Sequence, residues 1–242
     1  MTFNYFYNNR AILKHRFECA CSFQLRWTPL IIAGLLSFYI LIIPPVNAQT
    51  SPVPKGYELL NDIQGDLNKD GIQERVLVYN TADTTEDGII RELQLFKRFN
   101  NHWKLWIKNR NAIRKSREGG MMGDPYNGIE IKNGLLRISF SGGSSWKWNY
   151  TDIYRFQNHD FWLIGYTGLY GKLCEYWQTV DFNLITGKLI MTKEFEDCEK
   201  DQQVYKRENE TFFKKGVQIR MIERNNRSCK IVSPKYKHQV YL

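Results

Sequence analysis

The stretch IEIKNGLLRISFSGGSSWKWNYTDIYRFQNHDFWLIGY, residues 129–166, decides the fold. Asn133-Gly134 stands between two short apolar runs. Both residues tolerate the positive φ that a type I′ turn requires, so Ile129–Lys132 and Leu135–Phe140 read as a hairpin. From Trp146 to Phe156 aromatic and polar residues alternate, the period of a strand. Gln157-Asn158-His159-Asp160 then breaks the pattern before Phe161–Tyr166 resumes it.

The same grammar extends in both directions. Arg75–Tyr79 reads as a strand. Leu93–Phe99 and Trp103–Lys108 flank Asn100-Asn101-His102, and Leu173–Phe182 and Lys188–Phe195 flank a turn at 183–187. Thr211–Phe213 and Val217–Ile222 flank Lys214-Lys215-Gly216. Thr81–Gly88 reads as a polar loop, and Asp197–Glu210 as a charged loop or short helix. No segment after residue 48 sustains a period near 3.6, so little helix is expected. The expected class is mostly β: antiparallel hairpins forming a sandwich or a partial propeller-like arrangement of sheets. Residues 95–107 and 153–165 echo one another. Two blades of a repeat would produce that echo, but so would any two aromatic hairpins, which is the reading preferred.

The N-terminus carries scattered positive charge, at Arg10, Lys14, Arg16 and Arg26. An apolar run from Leu30 to Ile43 follows. It has the length of a signal-peptide core and is short for a membrane span. Pro44-Pro45 ends it, and Val46-Asn47-Ala48 supplies small or apolar residues at the cleavage positions. Residues 1–48 are therefore expected to be a signal peptide, 49–56 a linker, and 57–242 one β-rich domain. No stable membrane span is expected after cleavage, and a periplasmic or secreted location follows. Segment 1–48 holds four Lys/Arg and one acid, so it carries +3 of the formal +9, leaving +6 on the rest. That charge is spread out with no basic arm, which argues against a nucleic-acid partner.

Cys19 and Cys21 precede the apolar run. Cys174, Cys198 and Cys229 remain. A hairpin centred near residue 185 or 186 places residue 174 opposite about 197, so a Cys174–Cys198 disulfide is expected.

Residues 65–74, GDLNKDGIQE, form an acidic loop. Asp66, Asn68 and Asp70 alternate, Gly71 permits a sharp turn, the Ile72 carbonyl supplies an oxygen while its side chain packs on the domain, and Glu74 closes the far side. This is an oxygen-rich set suited to calcium. An EF-hand would need Glu at its twelfth position, where Leu77 stands. The loop resembles the D-x-[DN]-x-D-G-x-x-[DE] loop of the FG-GAP (integrin-type) repeat, in which a strand follows directly. A polar turn using Asp, Asn and Gly for their backbone habits is the alternative.

Alternation places Trp146, Trp148, Tyr150, Tyr154 and Phe156 on one face, interrupted by Asp152. Trp146, Trp148 and Tyr150 are candidate ligand-binding aromatics if exposed. Otherwise the row is core, with Asp152 as a partner for its polar tips. The glycine-rich loop 119–126 lacks the Lys and Ser/Thr of a phosphate loop and reads as a structural turn. No zinc spacing and no serine-nucleophile elbow occurs, so no catalytic residue is named.

Taken together, G-D-L-N-x-D-G at 65–71, G-D-P-Y-x-G-I-x-I-x-N-G at 123–134, G-G-S-S-W-x-W at 142–148, W-x-I-G at 162–165 and N-L-x-T-G-K at 183–188 resemble an uncharacterised family of exported bacterial β proteins. The resemblance implies export and a common fold and carries no activity. The expected function is an exported, calcium-stabilised β module binding an envelope or extracellular ligand, glycan or protein. The alternative is a cell-wall or carbohydrate-directed hydrolase using two carboxylates about 5–10 Å apart in a cleft.

Overall fold

The computed structural model describes residues 53–200, 203–225 and 229–242. The chain divides into two units at Ala48/Gln49, and every described residue belongs to the second. Residues 1–48, expected from the sequence to be a signal peptide, lie outside the described residues.

Two antiparallel meanders make up the domain. The smaller contains β1 (Glu58–Gly65), β2 (Glu74–Thr85), β3 (Gly88–Phe99) and β4 (His102–Asn109), paired in that order. The larger contains β5 (Tyr126–Lys132), β6 (Leu135–Gly143), β7 (Lys147–Gln157), β8 (Asp160–Lys172), β9 (Tyr176–Asn183), β10 (Lys188–Asp197) and β11 (Gln203–Phe213), again paired in chain order. A short hairpin of β12 (Lys230–Val232) and β13 (Gln239–Tyr241) follows. The only helical pieces among the described residues are three-residue 3-10 turns. None could cross a membrane.

Tight turns explain why sequence neighbours pair. Asn100-Asn101, Asn133-Gly134 and Asn158-His159 all hold positive φ at both positions, as a type I′ turn demands. At the β9–β10 turn the Asn183 side chain accepts the backbone N–H groups of Ile185 and Thr186, each at 3.0 Å.

One hydrophobic cluster joins the two sheets. Val76, Val78, Leu93 and Leu95 of the smaller sheet and Leu136, Ile138, Phe140, Tyr154 and Phe161 of the larger are all nearly fully buried. The arrangement is therefore sandwich-like, with one shared core rather than the blades of a propeller. The two echoing hairpins lie in different sheets and meet in space. Trp106 of β4 packs edge-on against Phe156 and Phe161, with ring centroids 4.6 and 5.4 Å apart.

Three local expectations are corrected. Segment 81–85 continues β2, and the Thr85–Gly88 pair closes a tight turn there. Segment 203–213 is the full strand β11, because Glu208 is held inward by His238 and Glu210 accepts the backbone N–H groups of Lys235 and Tyr236. Residues 217–222 do not form a hairpin strand. Arg220 makes one isolated bridge to Trp162, and a 3-10 turn begins at Met221.

Because β6 to β11 pair in register, the side chains of one face fall into transverse rows. Ile138, Asp152, Tyr166, Phe182 and Leu189 form the first, and Phe140, Tyr150, Gly168, Val180 and Met191 the second. These rows are buried except at Gly168, which is half-buried. The third row is Gly142, Trp148, Tyr170, Gln178, Lys193 and Glu208, and here the core passes into an open groove.

Candidate functional site: an aromatic groove and an acidic loop

The groove holds about 900 Å³ on the upper half of that face, bounded by the 114–118 segment and by the chain from 237 onward. The aromatic row read from the sequence divides across its margin. Tyr154 and Tyr150 are buried as core, whereas Trp146 and Trp148 are half-buried and line or flank the groove. Tyr170 from β8 joins them, stacked on Trp146 with planes 10° apart and centroids at 5.3 Å. Trp148 stacks on Tyr150, and Tyr150 on Tyr166. Tyr170 is exposed.

Asp152 serves its expected role and more. It accepts the Tyr154 hydroxyl at 3.1 Å and a two-pronged pair from Arg224, at 2.7 and 3.2 Å, with both charges buried. Removing one partner of such a pair strands the other charge, at a cost of about 3–5 kcal/mol. Burial, reinforced by the Asp152 charge, raises the phenols of Tyr150, Tyr154 and Tyr166 above their ordinary value. They are therefore neutral hydrogen-bonding groups at physiological pH.

The cations of the groove gave no sequence signal. Arg114 is set in place from below and behind. Ala112 and Ile113 are buried, the Asn109 side chain accepts the N–H groups of Asn111 and Ala112, and Asn225 donates to the Ile113 carbonyl. Arg114 Nε then donates to the Tyr150 hydroxyl at 2.6 Å, with the guanidinium beside the rings of Trp148 and Tyr150. At the other end the Lys193 ammonium stands 3.5 Å above the Tyr176 ring. Burial pulls its pKa below the ordinary lysine value. Lys237 lines the rim. Among the described lining residues Glu118 is the one carboxylate side chain, and it accepts the Lys115 N–H at 2.7 Å. The carboxylate pair of a glycosidase is not assembled here.

The acidic loop lies elsewhere, between β1 and β2. Asp66 accepts the N–H groups of Lys69 and Gly71, at 2.6 and 3.0 Å. Asn68 Oδ1 accepts from Asp70 N, and Asp70 Oδ1 from Ile72 N. Glu74 is buried and receives the Leu67 N–H at 2.8 Å, while Leu67 itself enters the core. Asn68 Nδ2 stands 2.8 Å from one oxygen each of Asp70 and Glu74, a neutral amide bridging two carboxylates. Asn68, Asp70 and Glu74 are thus brought together, and Asp66 turns to its own backbone donors. The Ile72 side chain is half-exposed rather than packed on the domain, because Leu67 fills the core position under the loop.

Among the described residues no three His, Cys, Asp or Glu side chains cluster as a ready-made metal site. A cation here would draw on Asn68 and on backbone carbonyls, Ile72 among them, beside Asp66, Asp70 and Glu74. That oxygen-only set fits calcium. Burial raises the Glu74 carboxyl, whereas the hydrogen bonds from Ile72 N and Asn68 lower that of Asp70. The loop abuts the β5–β6 hairpin closely. A Cβ on Gly134 would come 3.2 Å from the Asp66 carbonyl oxygen, and one on Gly65 would come 2.6 Å from Ile131.

Cys174 and Cys198 are disulfide-bonded, with Cα atoms 5.0 Å apart, and Cys229 is free and partly buried. Cys174 sits in the β8–β9 turn rather than inside a strand. The β9–β10 register still runs as expected, since Tyr176 pairs with Phe195.

No protein-family model matches the chain, and no curated protein matches it.

Proposed function

We propose that the chain is an exported, calcium-stabilised β module whose work is to bind an envelope or extracellular glycan in the groove of its larger sheet. The observation that carries this reading is the third transverse row. There the core gives way to half-exposed aromatic rings flanked by cations held in place over them. Concave, mostly apolar sites with a few oriented polar groups are where ligands bind. The apolar run before Val46-Asn47-Ala48 and a disulfide that persists under oxidising conditions support export. The bridged loop at 66–74, with its likeness to integrin-type loops, supports calcium as a clamp between β1–β2 and the β5–β6 hairpin.

The test is a panel of soluble envelope and extracellular polysaccharides, titrated against the wild type and against Tyr170→Ala, a change at an exposed ring. Binding by the wild type that weakens about tenfold or more in Tyr170→Ala is the expected result. Absence of any binder, or equal binding by Tyr170→Ala, overturns the groove as the site.

A further inference from the structure

We infer that the ligand of this groove is an acidic oligosaccharide, its carboxylates met by two cations on either side of an aromatic platform. The inference rests on the reading of the groove as a glycan site and adds the ligand's charge and length.

The first cation is Arg114. Its guanidinium carbon is 5.3 Å from the Trp148 ring centroid, and its nearest carboxylate, Glu118, is only at 4.0 Å. The second is Lys193, 3.5 Å above Tyr176. Glu208, its neighbour across the β10–β11 pair, is already engaged by Lys206 at 2.6 Å and by His238 at 2.7 Å. Both cations are therefore oriented by aromatic rings rather than consumed by carboxylates. A cation fixed over a ring face has lost its freedom before the ligand arrives, which favours binding an anion.

The register sets the spacing. Trp148 pairs with Tyr170, Tyr170 with Gln178, and Gln178 with Lys193. Three strand-to-strand steps of 4.7–4.9 Å place Trp148 and Lys193 about 14 Å apart. Between them Tyr170 is 42% exposed. A ligand that spans this row needs negative charge toward both ends and an apolar face between. The C–H-rich faces of sugar rings pack on aromatic rings, and uronic-acid units supply the carboxylates. A groove of about 900 Å³ is also too large for one sugar to fill.

An acidic peptide shares the charge but suits the geometry less. The floor is the middle of a sheet, where β7 to β10 have satisfied one another's backbone groups. An extended peptide gains most by adding to a free edge.

The intact protein, with its fold checked by thermal melting, is titrated with a polyuronate oligosaccharide, its methyl ester, poly-glutamate and single-stranded DNA. The expected result is binding of the polyuronate about tenfold or more tighter than its methyl ester, weakened by added salt. Lys193→Gln and Arg114→Gln each lose that preference, and Lys214→Gln, a surface charge outside the groove, retains it. Methyl ester bound as well as the acid, with Tyr170→Ala still weakening both, overturns the acidic ligand and leaves the glycan site standing. No saccharide binding at all overturns both. Tighter binding of poly-glutamate or DNA, or equal loss in Lys214→Gln, also overturns the inference.

Discussion

The indole of Trp148 occupies the space that a side chain on Gly142 would fill. A Cβ built on Gly142 would stand 2.4 Å from Trp148 Cζ2 and 2.8 Å from the Gly119 carbonyl oxygen. Gly142 and Trp148 are cross-strand partners on β6 and β7, so the missing side chain lets the ring lie across the strand pair. Gly142→Ala should therefore displace Trp148 and lower stability by about 1–3 kcal/mol, the usual range for overpacking. Tryptophan emission and thermal melting both report it. Unchanged values in the two would show that the ring is not seated against Gly142.

The acidic loop predicts a metal-dependent melting temperature. Calcium at about a hundred times its Kd should add about 2.7 kcal/mol to stability, and Asp70→Ala should abolish the gain. Asn68→Asp is the sharper variant. It replaces the amide that bridges Asp70 and Glu74 with a third carboxylate. In EDTA it should melt below the wild type, and in calcium it should bind the ion more tightly. A melting temperature identical in EDTA and calcium would leave the polar turn as the better account of 65–74.

The pH dependence of that effect has a definite sign. In EDTA, burial raises the folded-state pKa of Glu74. Its contribution is present below the unfolded value and lost as pH rises through the folded one. Asp70, lowered by hydrogen bonds, contributes above its unfolded value and loses that contribution as pH falls. Calcium needs both ionised, so its stabilising increment should be complete near neutrality and shrink as pH falls into the glutamate range, near 4.3 and above. Melting with and without calcium at pH 7 and at pH 4.5 checks this. An increment that grows on acidification would contradict the assignment of Glu74.

The bridge between Cys174 and Cys198 closes a loop with a sequence separation of 24. The chain-entropy model gives such a loop about 3 kcal/mol. Cys174→Ser should melt lower by a corresponding amount, and peptide mapping without reduction should join the 174 and 198 peptides while leaving Cys229 open to alkylation after unfolding. A Cys198–Cys229 peptide would contradict the pairing.

The hairpins were legible because their turns are chemically distinctive. Asn100-Asn101, Asn133-Gly134 and Asn158-His159 mark positive φ, and the disulfide register followed from the turn at 183–187. Strand β11 was hidden because its charged residues look like a loop. Glu208 and Glu210 point inward only because His238 and the backbone N–H groups of Lys235 and Tyr236 await them, partners 25 to 30 residues away in sequence. The groove was half legible. Alternation gave Trp146, Trp148 and Tyr150 one face, but which of them are core depends on how far the segments carrying Arg114 and Arg224 cover that face. Arg114, Lys193 and Lys237 reach the groove from three separate segments, and no local pattern joins them.

The most direct test of the groove is the set of tryptophan indole N–H resonances, followed by NMR during titration with a saccharide that binds. Trp146 and Trp148 lie at the groove, Trp103 and Trp106 belong to the smaller sheet, and Trp162 and Trp177 alternate onto the opposite face of the larger one. The resonances of Trp146 and Trp148 should move and the other four should stay. Shifts confined to Trp103, Trp106, Trp162 or Trp177, with Trp146 and Trp148 unmoved, would place the ligand elsewhere and contradict the account.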